Sequence, residues 1–581
     1  MQHSHWLLIA TLASSAFSQQ IWDIVSQFQP FISQNYPQKL MANLASQWQT
    51  TWDRSKLFTS LAPSTPINFV TPGPIANADI VINDANVLQP ILGFGGSLTD
   101  SSALTLNNLK ARSKNSGNYW NLLGYMFGAA DGANVAGLNY IRVPIGASDF
   151  SSGLYSLDDT SGDTSFSQFN INKVPSYVFS VLRDIQSLNN RLQIHLVPWS
   201  PPAWMKDSGT MNGGSLKSQY VGSICQSSSF YFQMLDLHHE NLDATYLLKA
   251  VQGFQSQGFS VSAISIQNEP QNSNPTYPTC TMTPDVEGQT ATALRSLLNS
   301  NGLSKVNIVG YEHNWDDAGS YPVQLMSSYG SAYAGAAFHC YAGSVGNQDQ
   351  FHSAFPSKAI YFTECSGTIG SDWWTDIKWY MDNLWIGSLE HNSRSGLMWN
   401  IALDGNGNPK LPGTNSCGGS GCRPLVTVNS DGSYSFNQEF YSMAQASKAI
   451  IPKDAGGPFG QRIGVSVGGS LSWALRVGAY VTGRVSSSDW LRYSIVVLNW
   501  DDSASTTWNP QPVKTTIEFR GMQATYTFPV GVTTLWWFAP ATSGVNARSW
   551  NVTEPPIEVF AEENEEKAST ASAKFRMPKS S

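Results

Sequence analysis

Two glutamates close apolar runs that otherwise read as buried strands. Glu269 ends AISIQNEP, which starts at Ala263, and Glu364 ends the core of AIYFTECSG, which starts at Ala359. Asn, Glu and Pro are poor strand residues, and a carboxylate beside a packed core has to be paired, solvated or protonated. Taken alone, Glu269 reads as a surface residue where a strand runs into a loop. Two carboxyls set face to face from different strands read otherwise, because they form the pair that glycoside hydrolysis needs. One donates a proton to the leaving oxygen, and the other meets the positive charge developing at the anomeric carbon. A separation of about 5–5.5 Å makes that chemistry retaining, through a covalent glycosyl-enzyme.

The neighbours divide the roles. Arg142, inside YIRVPIGASD, points inward if Ile141 and Val143 face outward, and a buried Arg needs a carboxylate. Placed beside Glu364 it keeps that group ionised, as a nucleophile requires. Glu269, next to Pro270 and aromatic residues, is then expected to carry the raised pKa and to act as acid, then base. Asn268 can hydrogen-bond a sugar hydroxyl. Trp199 and Trp399 suit either an apolar floor for a sugar or ordinary packing.

Eight short apolar runs must position these side chains, each ending in polar or Gly-containing sequence, with helix-like stretches between them. They begin at Ile91, Tyr140, Gln193, Ala263, Val306, Gly335, Ala359 and Gly396. Near-continuous apolar strands alternating with helices mean parallel strands buried on both faces, and eight units predict an α/β fold, the (β/α)8 TIM barrel. All eight tails then share the C-terminal mouth, bringing together Asp100, Trp199, Asn268, Glu269, His313, His339, Tyr341, Glu364 and Trp399. A doubly wound sheet is disfavoured, because GFGGS from Gly93 lacks dinucleotide-binding spacing. His238-His239-Glu240 lacks metal-ligand spacing, and His313 with Asp316 and Asp317 reads as a polar strand end; no metal or cofactor is expected. Neither Ser97 nor Ser366 sits in a nucleophile elbow. The segment SDWWTDIKWYMDNLW from Ser371 has the i, i+4 apolar spacing of a core-facing helix, a reading preferred over a set of glucan subsites.

After about residue 448 the pattern changes to β-branched and alternating runs between turns, which predicts a β-sandwich over 448–541. The strand-like stretch from Ile67 to Asp84, within an N-terminal segment 19–88, is expected to add strands to it, leaving 89–447 for the barrel. Residues 1–18 read as a secretory signal peptide, with an apolar run from Trp6 to Ala13, and 542–581 as a disordered tail. The 581 residues include 20 Trp and carry a net charge of −8, which gives no footprint for nucleic acid. No later run approaches the ~20 apolar residues of a membrane span, so a secreted monomer without stable membrane insertion is expected. Cys417–Cys422 makes a credible bridge and Cys225–Cys280 a conceivable one. Cys340 and Cys365 are expected to be free buried thiols, and Asn551 begins a glycosylation sequon.

Together, GFGGSLTD at 93–100, IRVPIGASDFS at 141–151, PWSPPAWMK at 198–206, NGGSLK at 212–217, SIQNEP, HCY at 339–341, FTECSG and MWNIALD resemble glycoside hydrolase family 30 over roughly residues 60 to 540. The resemblance implies a (β/α)8 barrel with a side β-sandwich and a retaining mechanism, with Glu269 as acid/base and Glu364 as nucleophile. By the same resemblance Asp100, Trp199, Asn268, His339, Tyr341 and Trp399 match glycone-binding positions. YPTCTMTP at 277–284 and GYEHNWDD at 310–317 are most similar to the family's fungal secreted endo-β-1,6-glucanases, implying a β-glucan substrate. A glucosylceramidase, which needs an apolar surface to reach lipid, and a non-catalytic carbohydrate-binding protein on the same fold are the alternatives.

Overall fold

The computed structural model describes residues 46–61, 67–112, 117–221 and 241–542. The expected signal peptide, Cys225, the His238-His239-Glu240 cluster, the Asn551 sequon and the tail beyond residue 542 lie outside the described residues.

Eight parallel strands form the central sheet: β1 (Gly93–Ser97), β2 (Tyr140–Ile145), β3 (Gln193–Pro198), β4 (Ala263–Ser265), β5 (Asn307–Asn314), β6 (Gly335–His339), β7 (Ala359–Glu364) and β8 (Ser395–Met398). Neighbours pair in chain order, and β8 returns to pair with β1. The amide of Arg394 donates to the Ile360 carbonyl (2.8 Å), so β8 also meets β7 and the barrel closes. Each strand leads into at least one helix before the next. Gly95 is required in β1, because a Cβ there would stand 1.9 Å from the Tyr140 carbonyl oxygen. The glycines of GFGGS let two strands approach; they do not cradle a phosphate.

The period of two along each strand sorts the side chains. Ile141, Val143, Ile194, Leu196, Ile264, Ile308, Phe338, Ile360 and Phe362 join the large core shared with the helices. Tyr140, Ala263, Val309, Ala337, Tyr361 and Leu397 form a separate cluster inside the barrel. Two residues further along the same strands stand Arg142, Ser265, His339 and Thr363, all buried. An apolar plug thus floors a polar layer just below the mouth.

The side module is one nine-stranded sheet, not two separately bonded ones. Strands Ser46–Thr51, Thr59–Leu61 and Ala78–Pro90 join six strands between Gly460 and Ala539. It curls until its ends meet: the Tyr526 hydroxyl donates to Gln47 (2.8 Å) and accepts from Gln49 (2.8 Å). Its central strands, Leu475–Thr482, Leu491–Asn499 and Gly531–Ala539, are buried on both faces. Tyr493, Ile495, Val497, Leu535 and Trp537 fill its own core. Val496, Leu498, Val532 and Trp536 belong to the core shared with the barrel.

Cys417 and Cys422 are bonded, as expected. Cys340 and Cys365 are not free thiols; they are bonded to each other with a Cα–Cα distance of 5.3 Å. The reason is register: His339 pairs with Glu364 across β6 and β7, so the next residue on each chain has the other at disulfide distance. Reading each strand alone hid that pairing. Cys280 is buried.

Candidate active site

At the mouth, Arg142 organises the carboxylates. It donates to Glu364 Oε2 (2.5 Å), to Asn268 Oδ1 (2.6 Å) and to Glu312 Oε2 (3.0 Å). The Tyr341 hydroxyl donates to Glu364 Oε1 (2.9 Å), and Tyr341 itself is 44% exposed at the rim. Glu269 accepts from Asn272 at Oε2 (2.9 Å), while its Oε1 lies 3.2 Å from His339 Nδ1 and 3.9 Å from His313 Nδ1. A carboxylate oxygen of Glu269, one of Glu364 and a ring nitrogen of His339 all lie within 4.8 Å of one another. That set could also converge on a cation, but the Arg142 guanidinium already supplies positive charge against Glu364.

Arg142 therefore points inward beside Glu364, as the sequence predicts, and Asn268, Glu269, His339 and Tyr341 join the same cluster. Trp199 and Trp399 stack on each other with centroids 4.8 Å apart, and Arg142 lies 4.8 Å over the Trp199 ring. At 3% and 2% exposure they present little surface and pack against the guanidinium. Asp100 is engaged otherwise: its carboxylate accepts from Ser151 (2.6 Å) and Tyr155 (3.0 Å) and ties down the loop after β2.

Two residues that sequence reasoning missed complete the site. Glu312 is fully buried beneath it and accepts from Ser265 (2.6 Å), Thr363 (2.6 Å) and Arg142, with His339 Nε2 at 3.1 Å. Strict alternation from Val309 predicts that His313 faces inward and Glu312 outward. A register shift between Gly310 and His313, with Tyr311 and Glu312 at φ 73° and 47°, turns Glu312 into the barrel instead. Glu269 also has a positive φ, 47°, and β7 shifts register between Phe362 and Glu364. Left-handed backbone at non-glycine residues is costly, and three such residues, Glu269, Tyr311 and Glu312, stand at this site. The only sequence signal for Glu312 was a third carboxylate ending an apolar run. The second missed residue is Asp149, whose Oδ2 accepts from Ser416 (2.5 Å) and whose Oδ1 is buried without a partner. Burial pushes its carboxyl up to about 7, helped by the charges of Glu364 and Glu269. Ser416 brings in the loop after β8.

The charge distribution differs from expectation. Burial alone would raise Glu269, but the hydrogen bond and positive charge of His339 outweigh it and hold the carboxyl down to about 2. Glu364 is the one raised, by burial and by the charge of Glu269, against the pull of His339 and Arg142. His339 explains the reversal. Burial would lower it, yet the charge of Glu364 and hydrogen bonds to Glu269 and Glu312 raise it to about 9. Glu312, held well below the usual carboxylate range, can only accept, so His339 Nε2 carries a hydrogen toward it. Nδ1 then either donates to an ionised Glu269 or accepts from a protonated one. The two residues hold one proton between them. Three carboxyl groups, Glu269, Glu312 and Glu364, thus face one guanidinium and one imidazole, so acidic groups outnumber basic ones in the cluster. That suits a transition state that develops positive charge.

Two measurements follow. Because the His339 pKa rises from 6.5 to about 9 on folding, its stabilisation is complete below pH 6.5 and lost as pH climbs through about 9. The melting temperature should fall over that window in the parent and stay flatter in His339→Gln. Glu312→Ala leaves Arg142 and His339 without their shared counter-charge; breaking a buried pair costs about 3–5 kcal/mol. It should lower the melting temperature by several degrees, and Glu312→Gln, which keeps the shape, should cost less stability but at least about ten-fold in kcat. Wild-type kcat in both variants would remove Glu312 from the site's support.

Residues 91–410 match the glycosyl hydrolase family 30 TIM-barrel domain. The endo-1,6-beta-D-glucanase of Neurospora crassa is 32% identical over 392 residues, covering 65% of this chain and 74% of that protein. An endo-1,6-beta-D-glucanase of Trichoderma harzianum is 31% identical over 65% of this chain and 73% of its own length. The mouse lysosomal acid glucosylceramidase is 28% identical over 31% of each chain. Among solved structures, an endo-beta1,6-glucanase superposes with a TM-score of 0.69 at 23% identity, covering 85% of this chain and 99% of that one.

Proposed function

Because the chain belongs to glycosyl hydrolase family 30, we propose that it hydrolyses β-1,6-linked glucan by double displacement, with Glu269 as acid/base and Glu364 as nucleophile. One observation carries the reading: the carboxyl oxygens approach within 4.8 Å, with Arg142 bonded to Glu364 and not to Glu269. That spacing is too small for the attacking water of an inverting enzyme and leaves room for a covalent intermediate. The pairing supports different roles for the two carboxylates. Arg142 and Tyr341 orient Glu364 and hold its electron pair toward the anomeric carbon. The proton shared by Glu269 and His339 passes through Glu269 to the leaving oxygen as the glycosidic bond breaks. Glu269 then takes a proton from the water that opens the glycosyl–Glu364 ester. Asn268, fixed by Arg142, is positioned to meet a sugar hydroxyl beside the reacting carbon.

The glucanase relatives support the linkage assignment, covering about three quarters of their own length. Two disulfides suit an oxidising compartment and support action outside the cell. No helix among the described residues is long and apolar enough to cross a membrane. The test is product analysis on linear β-glucans that differ only in linkage, with glucosylceramide alongside. Oligosaccharides from β-1,6-glucan whose new reducing ends first appear as the β anomer are expected. Initial α anomer would end the retaining reading, and turnover of glucosylceramide without glucan cleavage would end the substrate assignment.

A further inference from the structure

The aromatic segment after Ser371 packs most of its rings into the core. Trp373–Tyr380 is a helix whose Trp373, Trp374, Ile377 and Tyr380 are buried, the core-facing arrangement its spacing predicts. Trp379 is left over on the outer side, 39% exposed. Facing it, the side module contributes Trp473, 58% exposed, from the turn before strand Leu475–Thr482, and half-buried Trp500 just after strand Leu491–Asn499. The Trp500 indole donates to the Trp473 carbonyl (2.7 Å), which fixes those two residues relative to each other. The three indoles line one groove of about 440 Å³ with Thr375 and Asn383, and none of these residues belongs to the carboxylate cluster.

We propose that this groove binds a neutral β-glucan chain as a second saccharide site, apart from the catalytic mouth. The inference rests on the reading that the substrate is a glucan polymer, and three features favour such an occupant. Exposed indoles offer flat apolar faces, which match the C–H faces of sugar rings and are costly to leave in water. The groove's charges are already paired: Lys378 bonds Asp502 (2.8 Å) and Asp382 bonds Arg476 (2.7 Å). It therefore offers no free charge to an ionic ligand, while Asn383 and Thr375 add uncharged hydrogen-bonding groups suited to hydroxyls. Its volume falls within the ~300–1,000 Å³ of ligand clefts. A polymer held there keeps the enzyme near fresh substrate after each cut.

The experiment uses the full chain carrying Glu364→Gln to stop turnover, with and without Trp379→Ala plus Trp473→Ala. Depletion onto insoluble β-1,6-, β-1,3- and β-1,4-glucan gives the apparent Kd. The double variant should bind at least about five-fold more weakly to one or more of these. In the active parent, the same double change should leave the melting temperature unchanged and turnover of a soluble short gluco-oligosaccharide within about two-fold. Unchanged retention on every glucan overturns the proposal, as does a loss of oligosaccharide turnover equal to the loss of retention. A change in sedimentation to a smaller species would show that the groove joins two copies of the chain, and overturns it too. Groove-dependent retention by a parent that fails to cleave β-1,6-glucan upholds the groove and removes only the β-1,6 assignment.

Discussion

Glu364→Gly should abolish glucan hydrolysis, by on the order of 10⁴-fold or more, while leaving glucan binding within a few-fold. Among the described residues, the variant removes the one carboxylate that Arg142 and Tyr341 jointly orient, the group proposed to form the glycosyl ester. It also opens a space beside Arg142, where a small anion has a counter-charge waiting. Added azide should therefore restore turnover of an activated aryl β-glycoside, and the product should be the α-glycosyl azide. A single displacement from the face opposite the leaving group inverts configuration. Rescue that yields the β product instead would move the nucleophile to another residue, and undiminished hydrolysis would remove Glu364 from the reaction.

Glu269→Gln should slow glucan cleavage by about 10²–10⁴-fold, the range that general acid catalysis supplies. The loss should shrink sharply for the first step on substrates whose leaving group needs no proton, such as dinitrophenyl glycosides. Deglycosylation then becomes limiting, because the same residue must activate water, and a burst of released phenol should precede a slow steady state. Equal slowing on poor and good leaving groups would withdraw the acid/base assignment. The His339 contact adds a second signature. His339 Nδ1 and Glu269 share one proton, so His339→Gln should lower the alkaline limb of kcat/KM toward the ordinary carboxylate range. An unmoved limb would mean that Glu269 holds its proton unaided.

Both expectations start from a feature legible in the linear chain: two glutamates at the ends of apolar runs, with an arginine in a third. Periodicity carried that far because strand side chains alternate faces, so Arg142, flanked by Ile141 and Val143, had to point inward once a barrel was assumed. The same rule failed where the backbone departs from it. Glu312 reaches the centre of the site through a shift in β5 and two left-handed residues, and a propensity argument assigns neither to Tyr or Glu. The pKa order failed for a related reason. Proline and aromatic neighbours in sequence said nothing about His339, which comes from β6 and overrides the burial of Glu269.

The chain's own order of residues determined the architecture: eight buried parallel strands, a β module drawn from both ends of the described chain, and the residue types at the mouth. Those features follow from local patterns of apolar and polar residues, which survive in a linear string. Only the tertiary structure decided which carboxylate Arg142 clamps, that His339 meets Glu269, that Cys340 meets Cys365, and that Asp149 rather than Asp100 keeps a free buried oxygen. Each of these depends on distances between strands or loops far apart in sequence. Electrostatic energies inside a protein are set by such distances and by burial, and no spacing along the chain encodes them.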